Sequence, residues 1–180
     1  TVCSGTNSTA LTLSGNVGDI VRWESSASNT FATVTTIANT TANYTATDLT
    51  ATTYYRAVVK SGTCAETNSA TATVTVDPVS AGGTIAGSAT VCSGTNSTAL
   101  TLSGNVGTIV RWESSASSTF ATVTAIANTT ASYTAADLTA TTYYRAVVKS
   151  GTCAEANSAA ATVTVDPVSA GGTIAGSATV

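Results

Sequence analysis

Short stretches of the chain alternate apolar and polar residues with a period of two, and turn-forming residues separate these stretches. Residues 10–13 (ALTL) and 20–24 (IVRWE) show the alternation, while residues 14–18 (SGNVG) interrupt it. Because successive side chains of a strand point to opposite faces, this pattern predicts two strands joined by a turn.

The second of these strands carries both apolar and charged residues. Val21 and Trp23 are expected to face the core. Arg22 and Glu24 alternate with them and are then expected to face water, which is the less costly arrangement for charged groups. The strand therefore reads as one side of a sheet that has a buried face and a wet face.

The most informative alternation lies at residues 49–60 (LTATTYYRAVVK). This stretch has the spacing L-x-x-x-T-x-Y-x-x-x-V of a tyrosine corner, which leads into an inner strand of immunoglobulin-like sandwiches. With Tyr55, Ala57 and Val59 directed inward, Arg56 faces outward. The stretch therefore predicts a central strand.

Residues 72–76 (ATVTV) predict the last strand of a module, with its valines inward. Pro78 then prevents the ladder from continuing, because proline has no backbone N–H. Residues 80–83 (SAGG) form the expected joint, and residues 84–86 (TIA) the first strand of the following module.

The whole pattern occurs twice. Residues 1–89 and 90–178 align without a gap and are identical at 82 of 89 positions, and the last two residues begin a third copy. All seven differences exchange polar residues for other polar or small ones. Self-similarity at a fixed period is the signature of a repeat array, and we expect this chain to be a piece of a longer one.

These elements predict an all-β fold of tandem immunoglobulin-like β-sandwich repeats, each of 89 residues with one intradomain disulfide. Residues 1–78 are expected to form a repeat that lacks its leading strand, and residues 79–167 a complete repeat. Residues 168–180 are expected to form a linker and the leading strand of a next repeat.

The amino-acid composition excludes several classes of function. Charged residues make up 8% of the chain, the net charge is −3, and the six basic residues are scattered. Nothing in this distribution attracts nucleic acid, and no apolar run is long enough to insert in a membrane. Threonine and serine account for about a third of the chain. These small hydroxyl residues keep a surface wet, and β-branched threonine favours strands.

Each copy has two cysteines at the same two positions. We predict the pairs Cys3–Cys64 and Cys92–Cys153, each closing a loop within its own copy. Closing a loop of this size stabilises by about 4 kcal/mol on the chain-entropy model. Disulfides indicate an oxidising compartment, so the sequence predicts an extracellular, secreted protein.

No catalytic residue, cofactor site or metal site is predicted. The chain has no histidine and no close cysteine pair, and the acidic residues of each copy are isolated from one another in sequence. Asp19 is replaced by Thr108 in the second copy, so it cannot serve a function that both copies share. The sequence therefore favours a protein that is not an enzyme.

Two tyrosine–arginine pairs are the candidate surface contacts. The alternation that buries Tyr55 turns Tyr54 outward beside Arg56, and Tyr143 and Arg145 repeat the arrangement. An exposed tyrosine next to an arginine can contact a sugar or a protein. The same arrangement also serves as a cross-strand packing pair on the outer face of a sheet.

Several strings resemble the Ig-like repeats of giant secreted cell-surface adhesins of Bacteroidota, such as the SprB-like gliding-motility adhesins. These strings are residues 3–8 (CSGTNS), 11–15 (LTLSG), 21–26 (VRWESS), 53–59 (TYYRAVV) and 61–64 (SGTC). The resemblance covers both copies. It implies export by the type IX route, display on the bacterial outer membrane surface and, in gliding species, movement along the cell.

The sequence thus predicts a structural stalk or spacer repeat of a long extracellular adhesin filament, serving attachment or gliding motility. Its expected partners are neighbouring repeats of the same chain, surface polysaccharide or other cells. One alternative is a module that itself binds a glycan or a surface. A second is an accessory module of a secreted polysaccharide-degrading enzyme. In a stalk, weak contacts multiply along the fibre.

Overall fold

The alternating stretches form strands in the computed structural model, which describes residues 1–176. No helix occurs in this part of the chain. Its strands group into two compact units. Unit 1 comprises Thr1–Ala81, Val106–Thr108 and Lys149–Ala156, and unit 2 comprises Gly82–Asn105, Ile109–Val148 and the described residues from Asn157 onwards. Two segments of the second sequence copy therefore belong to unit 1.

Unit 1 contains the first nine strands. They are β1 (Val2–Cys3), β2 (Ser8–Thr12), β3 (Asp19–Ser26), β4 (Thr35–Ile37), β5 (Asn43–Thr47), β6 (Thr53–Lys60), β7 (Thr67–Asn68), β8 (Ala72–Val74) and β9 (Val76–Asp77). One sheet has the order β4-β3-β6-β7, with β8 also pairing with β6. Strands β2 and β5 form a second sheet, and β1 pairs in parallel with β9.

The β4-β3-β6-β7 sheet and the β2-β5 sheet of unit 1 pack against each other. Tyr44 of β5 lies between Trp23 of β3 and Tyr55 of β6, with ring centroids 5.8 and 5.6 Å apart. The Trp23 indole N–H donates to the Thr41 carbonyl at 3.0 Å, so its polar atom is satisfied inside the sandwich. Trp23, Tyr55, Ala57 and Val59 are all buried, as the alternation predicts.

The other nine strands described lie in unit 2, apart from the end residues Thr108, Lys149 and Ala156, which belong to unit 1. They are β10 (Thr84–Ala86), β11 (Ala89–Cys92), β12 (Ser97–Ser103), β13 (Thr108–Ser115), β14 (Thr124–Ile126), β15 (Ser132–Ala136), β16 (Thr142–Lys149), β17 (Ala156–Asn157) and β18 (Ala161–Asp166). The sheets have the orders β11-β18-β16-β13-β14, with β17 beside β16, and β10-β12-β15. Leu100, Trp112, Val148 and Val163 from both sheets form one buried core. The prediction of an all-β, immunoglobulin-like sandwich is confirmed.

Near-identical sequences acquire different neighbours in the two units. In unit 2, β12 pairs with β15 on one side and β10 on the other. In unit 1, the counterpart β2 pairs with β5 alone among the strands of residues 1–176. Leu100 and Leu102 are consequently buried, whereas Leu11 and Leu13 remain half-buried.

The predicted disulfide pairing is wrong. Cys3 is bonded to Cys153, with their Cα atoms 4.8 Å apart, while Cys64 and Cys92 are exposed free thiols. The bond joins positions 150 residues apart, from different sequence copies, and it lies within unit 1. The predicted pairs Cys3–Cys64 and Cys92–Cys153, and with them one intradomain disulfide per repeat, are absent.

The physical reason is the place of the Lys149–Ala156 segment in unit 1. The Asp77 carboxylate accepts hydrogen bonds from the Thr152 backbone N–H at 2.9 Å and from its hydroxyl at 3.2 Å. The Ser80 hydroxyl accepts from the Ser150 N–H at 2.9 Å. These contacts hold Cys153 within the Cα distance that a disulfide requires.

Candidate functional site

The candidate surface contacts lie on the outer face of the β3–β6 pair in unit 1. In the antiparallel register, Glu24 is directly opposite Arg56, and Ser26 is opposite Tyr54. Directly opposed residues on one face bring their side chains into contact. We call Arg22, Glu24, Arg56 and Phe31 the arginine–glutamate cluster, and Arg111, Glu113, Arg145 and Phe120 its counterpart in unit 2.

Glu24 lies at the centre of the cluster and is engaged from two sides. Its Oε2 accepts from Arg56, with Nη2 at 2.7 Å and Nε at 2.8 Å, and its Oε1 accepts from Arg22 Nε at 2.8 Å. The residue is only 4% exposed. The expectation that Glu24 faces water is therefore wrong, because the two guanidinium groups cover the carboxylate and replace its water.

The second unit repeats the arrangement with nearly the same distances. Glu113 accepts from Arg145 Nη2 at 2.7 Å and from Arg111 Nε at 2.8 Å. Glu113 is likewise buried. A geometry that recurs this closely is a property of the repeat rather than of one copy. In unit 1, Arg22 also reaches the exposed Glu66 at 2.8 Å.

A phenylalanine completes each cluster. The Arg56 guanidinium carbon lies 4.1 Å from the centre of the Phe31 ring, and that of Arg145 lies 4.4 Å from the Phe120 ring. A cation over an aromatic face gains about 0.5–1 kcal/mol at such partly exposed sites. Both phenylalanines have positive φ, 51° and 52°. The backbone thus accepts an unfavourable conformation where the ring covers the guanidinium.

The cluster sets the protonation of its carboxylate. Burial raises the pKa of Glu24, but the hydrogen bonds from Arg56 and Arg22 and their positive charges outweigh it, so the pKa lies below its usual value of 4.5. The same balance, with Arg145 and Arg111, lowers the pKa of Glu113. Both groups are therefore ionised at neutral pH, and they act there as hydrogen-bond acceptors.

Acid is expected to weaken the fold through these two carboxylates. Folding lowers the pKa values of these two carboxylates, so their ionised forms stabilise the folded state. This contribution to the free energy of unfolding is complete above the unfolded-state pKa. It is lost as the pH falls through the folded-state pKa. The double variant Glu24→Gln, Glu113→Gln should lower the free energy of unfolding by about 1–3 kcal/mol per unit at neutral pH. Below about pH 5, its stability should fall less steeply with pH than that of the parent protein.

Urea unfolding followed by the fluorescence of Trp23 and Trp112, which neighbour the two glutamates, measures this effect. The matched control is Glu66→Gln, whose carboxylate is exposed and whose removal should change stability by less than about 1 kcal/mol. An equal acid sensitivity of the double variant and the parent protein would contradict the assignment.

The four candidate contact residues thus divide into two kinds. Arg56 and Arg145 are held by the buried glutamates and the phenylalanine rings. Tyr54 lies between Ser26 and Thr73, Tyr143 lies opposite Thr162, and both tyrosines are half-buried. The arginines are held by other side chains, whereas the two tyrosines remain partly exposed.

Much of this arrangement is formed by residues that the sequence did not indicate as candidate surface contacts. The sequence signal that could have revealed the cluster is the pairing of charges on adjacent strands, with Arg22 and Glu24 on β3 and Arg56 on β6. The positions of Phe31 and Phe120 had no such signal, since both lie in irregular segments between strands. Only the folded chain brings them over the arginines.

The described part of the chain offers no group of three or more His, Cys, Asp or Glu residues that could hold a metal ion. Nor do residues 1–176 include a helix long and apolar enough to cross a bilayer.

Comparison with known proteins gives one family and several structural neighbours. The family model described as "Domain of unknown function (DUF8696)" matches residues 1–78 and again residues 81–167. None of the curated proteins matches this sequence.

Among solved structures, the FN1-FN3 domains of chicken CNTN1 are similar at 13% identity with a TM-score of 0.41, covering 91% of this chain. The chain spans 63% of the length of that structure. The fibronectin(III)-like modules of Clostridium thermocellum CbhA are similar at 10% identity with a TM-score of 0.36, covering 92% of this chain and 89% of theirs.

Proposed function

The chain belongs to the family described as a domain of unknown function (DUF8696), and from that premise we propose that it is a structural spacer of a long extracellular adhesin. The observation that carries the proposal is the Cys3–Cys153 bond, which joins residues of two successive sequence copies. A chain whose copies are tied covalently suits a protein that bears tension between a cell and a surface.

The bond changes the path of a pulling force. Tension entering before Cys3 passes through the disulfide and leaves after Cys153, so residues 4–152 carry none of it along the backbone. The strands within that loop, β2 to β16, cannot be extended while the bond is intact, whereas β17 and β18 of unit 2 lie outside it. The bond also supports an extracellular location, since disulfides persist in oxidising compartments.

The arginine–glutamate clusters support the same function. In both copies the arginines pair with a buried carboxylate and lie over an aromatic ring, so these basic side chains serve stability. None of the seven positions that differ between the copies belongs to the clusters. What the repeat retains is its packing and its internal ion pairs, as expected of a unit of length.

Single-molecule pulling on the two chain ends tests the spacer function. With the disulfide intact, we expect extension only from the residues outside the 3–153 loop. Reduction with dithiothreitol should release up to about 500 Å of additional chain. The variant Cys64→Ser, Cys92→Ser is the matched control and should extend like the parent protein. Full extension without reductant would contradict the proposal.

A glycan-binding module is the second candidate, favoured by the half-buried Tyr54 and Tyr143 on the outer faces. The double variant Tyr54→Ala, Tyr143→Ala separates the two functions in adhesion to surface polysaccharide. A spacer predicts unchanged adhesion, and a loss of adhesion with retained folding would favour the binding module. Thr73→Ala, which alters the neighbour of Tyr54 while keeping the ring, is the control for local packing.

A further inference from the structure

A cleft opens in unit 2 beside the end of β13 and the starts of β14 and β16. It has a volume of about 420 Å³ and is lined by residues 114–117, 121, 122, 124 and 140–142. Seven of these ten residues are serines or threonines, and the other three are alanines. The cleft surface therefore consists of hydroxyl groups and small methyl groups, and no charged side chain of the described residues lines it.

The same set of residues is repeated in the first copy. Residues 25–28, 32, 33, 35 and 51–53 are identical to the cleft residues, since none of the seven positions that differ between the copies lies among them. Each of the ten residues is also buried, half-buried or exposed alike in both copies. Because residues 25–53 have chain on both sides, this surface is a property of the repeat itself.

The backbone fixes which hydroxyls of the cleft can donate and which can accept. Ser115 Oγ accepts from the Ser117 N–H at 3.1 Å, and Thr141 Oγ1 accepts from a backbone N–H of β18 at 3.1 Å, so both hydroxyl hydrogens are left to donate. Thr142 Oγ1 donates to the Ala140 carbonyl at 3.0 Å, so its lone pairs are left to accept. The cleft thus offers donors and acceptors side by side.

Three further hydroxyls of the cleft make no side-chain hydrogen bond within residues 1–176, namely those of Ser114, Thr122 and Thr124. Ser115 is only 7% exposed, so its hydroxyl has little contact with bulk water. A buried donor that lacks an acceptor is costly, and a molecule in the cleft that accepts from it removes that cost. The hydroxyls of the cleft are therefore available to a ligand that forms hydrogen bonds.

We propose that this cleft binds a neutral saccharide. A sugar hydroxyl both donates and accepts, as the serine and threonine hydroxyls do, and the C–H groups of a sugar ring match the alanine and threonine methyl groups. The cleft volume lies within the range of small-molecule sites. The site consists of other residues than Tyr54 and Tyr143, so it adds a second contact to the glycan-binding candidate and does not rest on the spacer function.

Heteronuclear NMR titration of the full chain with glucose, galactose and N-acetylglucosamine tests the proposal. At least one of these sugars should shift the amide signals of residues 114–117 and 140–142, together with those of residues 25–28 and 51–53. The dissociation constant should be roughly 1 mM, as expected of a ligand with about a dozen non-hydrogen atoms. Glucuronic acid should bind more weakly than glucose, because its carboxylate meets no cation in the cleft.

Two double variants test the assignment to the cleft. Thr35→Val with Thr124→Val removes one hydroxyl from each copy at nearly constant size and should weaken sugar binding roughly three- to tenfold. Ala32→Leu with Ala121→Leu places a larger side chain in the cleft and should abolish binding. All four residues are exposed, so these substitutions should leave the fold intact.

The matched control is Thr45→Val with Thr134→Val, which alters exposed threonines of β5 and β15 outside the cleft and should bind sugar like the parent protein. The variant Tyr54→Ala, Tyr143→Ala should also keep the shifts in the cleft, which separates this site from the tyrosine contacts. The absence of shifts in the cleft with all three sugars would overturn the proposal. So would binding that the two leucine substitutions leave intact, loss of binding in the tyrosine variant, or glucuronic acid that binds more tightly than glucose.

Discussion

Replacing Cys3 with serine is expected to lower the free energy of unfolding of unit 1 by about 2–4 kcal/mol. The bond to Cys153 spans 150 positions, so it removes a large part of the conformational freedom of the unfolded chain. Its loss also leaves the Lys149–Ala156 segment attached to unit 1 by its hydrogen bonds to Asp77 and Ser80.

Urea unfolding of the oxidised protein and of Cys3→Ser measures this difference, with Cys64→Ser as the matched control. Cys64 is exposed and unbonded, so its replacement should change stability by less than about 0.5 kcal/mol. Peptide mapping without reduction should yield a Cys3–Cys153 fragment. A Cys3–Cys64 fragment would restore the pairing that the sequence predicts and would contradict the structure.

The second large effect is expected from Leu100→Ala, which should destabilise unit 2 by about 2–5 kcal/mol. Leu100 is 0% exposed and belongs to the core between the two sheets. Removing its side chain loses its transfer free energy and leaves a cavity, which β12, held between β10 and β15, can fill only in part.

The repeat provides a matched variant for this prediction. Leu11→Ala removes the same side chain from a half-buried position in unit 1, and should cost roughly half as much or less because less area leaves water on folding. Hydrogen exchange in urea, followed by mass spectrometry on peptides from β12 and β2, resolves the two units. An equal loss of stability at the two positions would show that β10 does not complete the core of unit 2.

Local alternation predicted much of the fold. Trp23, Tyr55, Ala57 and Val59 are buried as expected, and the strand at residues 84–86 forms where the pattern placed it. These predictions succeed because facing direction within a strand is a property of neighbouring residues. Val58 is an exception: it is also buried, beside a register irregularity between Ile20 and Arg22 and next to β7.

The candidate site was predicted less well. The sequence identified Tyr54 and Arg56 as neighbours on an outer face but placed Glu24 in water. Whether a carboxylate on the outer face is solvated depends on what lies across the strand pair and above it. Here Arg56 comes from β6 and Phe31 from an irregular segment, and the resulting cluster buries the charge.

The sequence by itself determined the all-β class, the 89-residue repeat and the inward face of the central strands. Each of these follows from residue types at short spacing, which local backbone geometry converts directly into structure. The tertiary structure alone decided that Cys3 bonds to Cys153, that Glu24 is buried, and that Leu100 is covered where Leu11 is not. Equivalent positions in the two copies have the same local sequence. Their contacts depend on which distant segments lie beside them in the folded chain, and the sequence of a single copy does not indicate those segments.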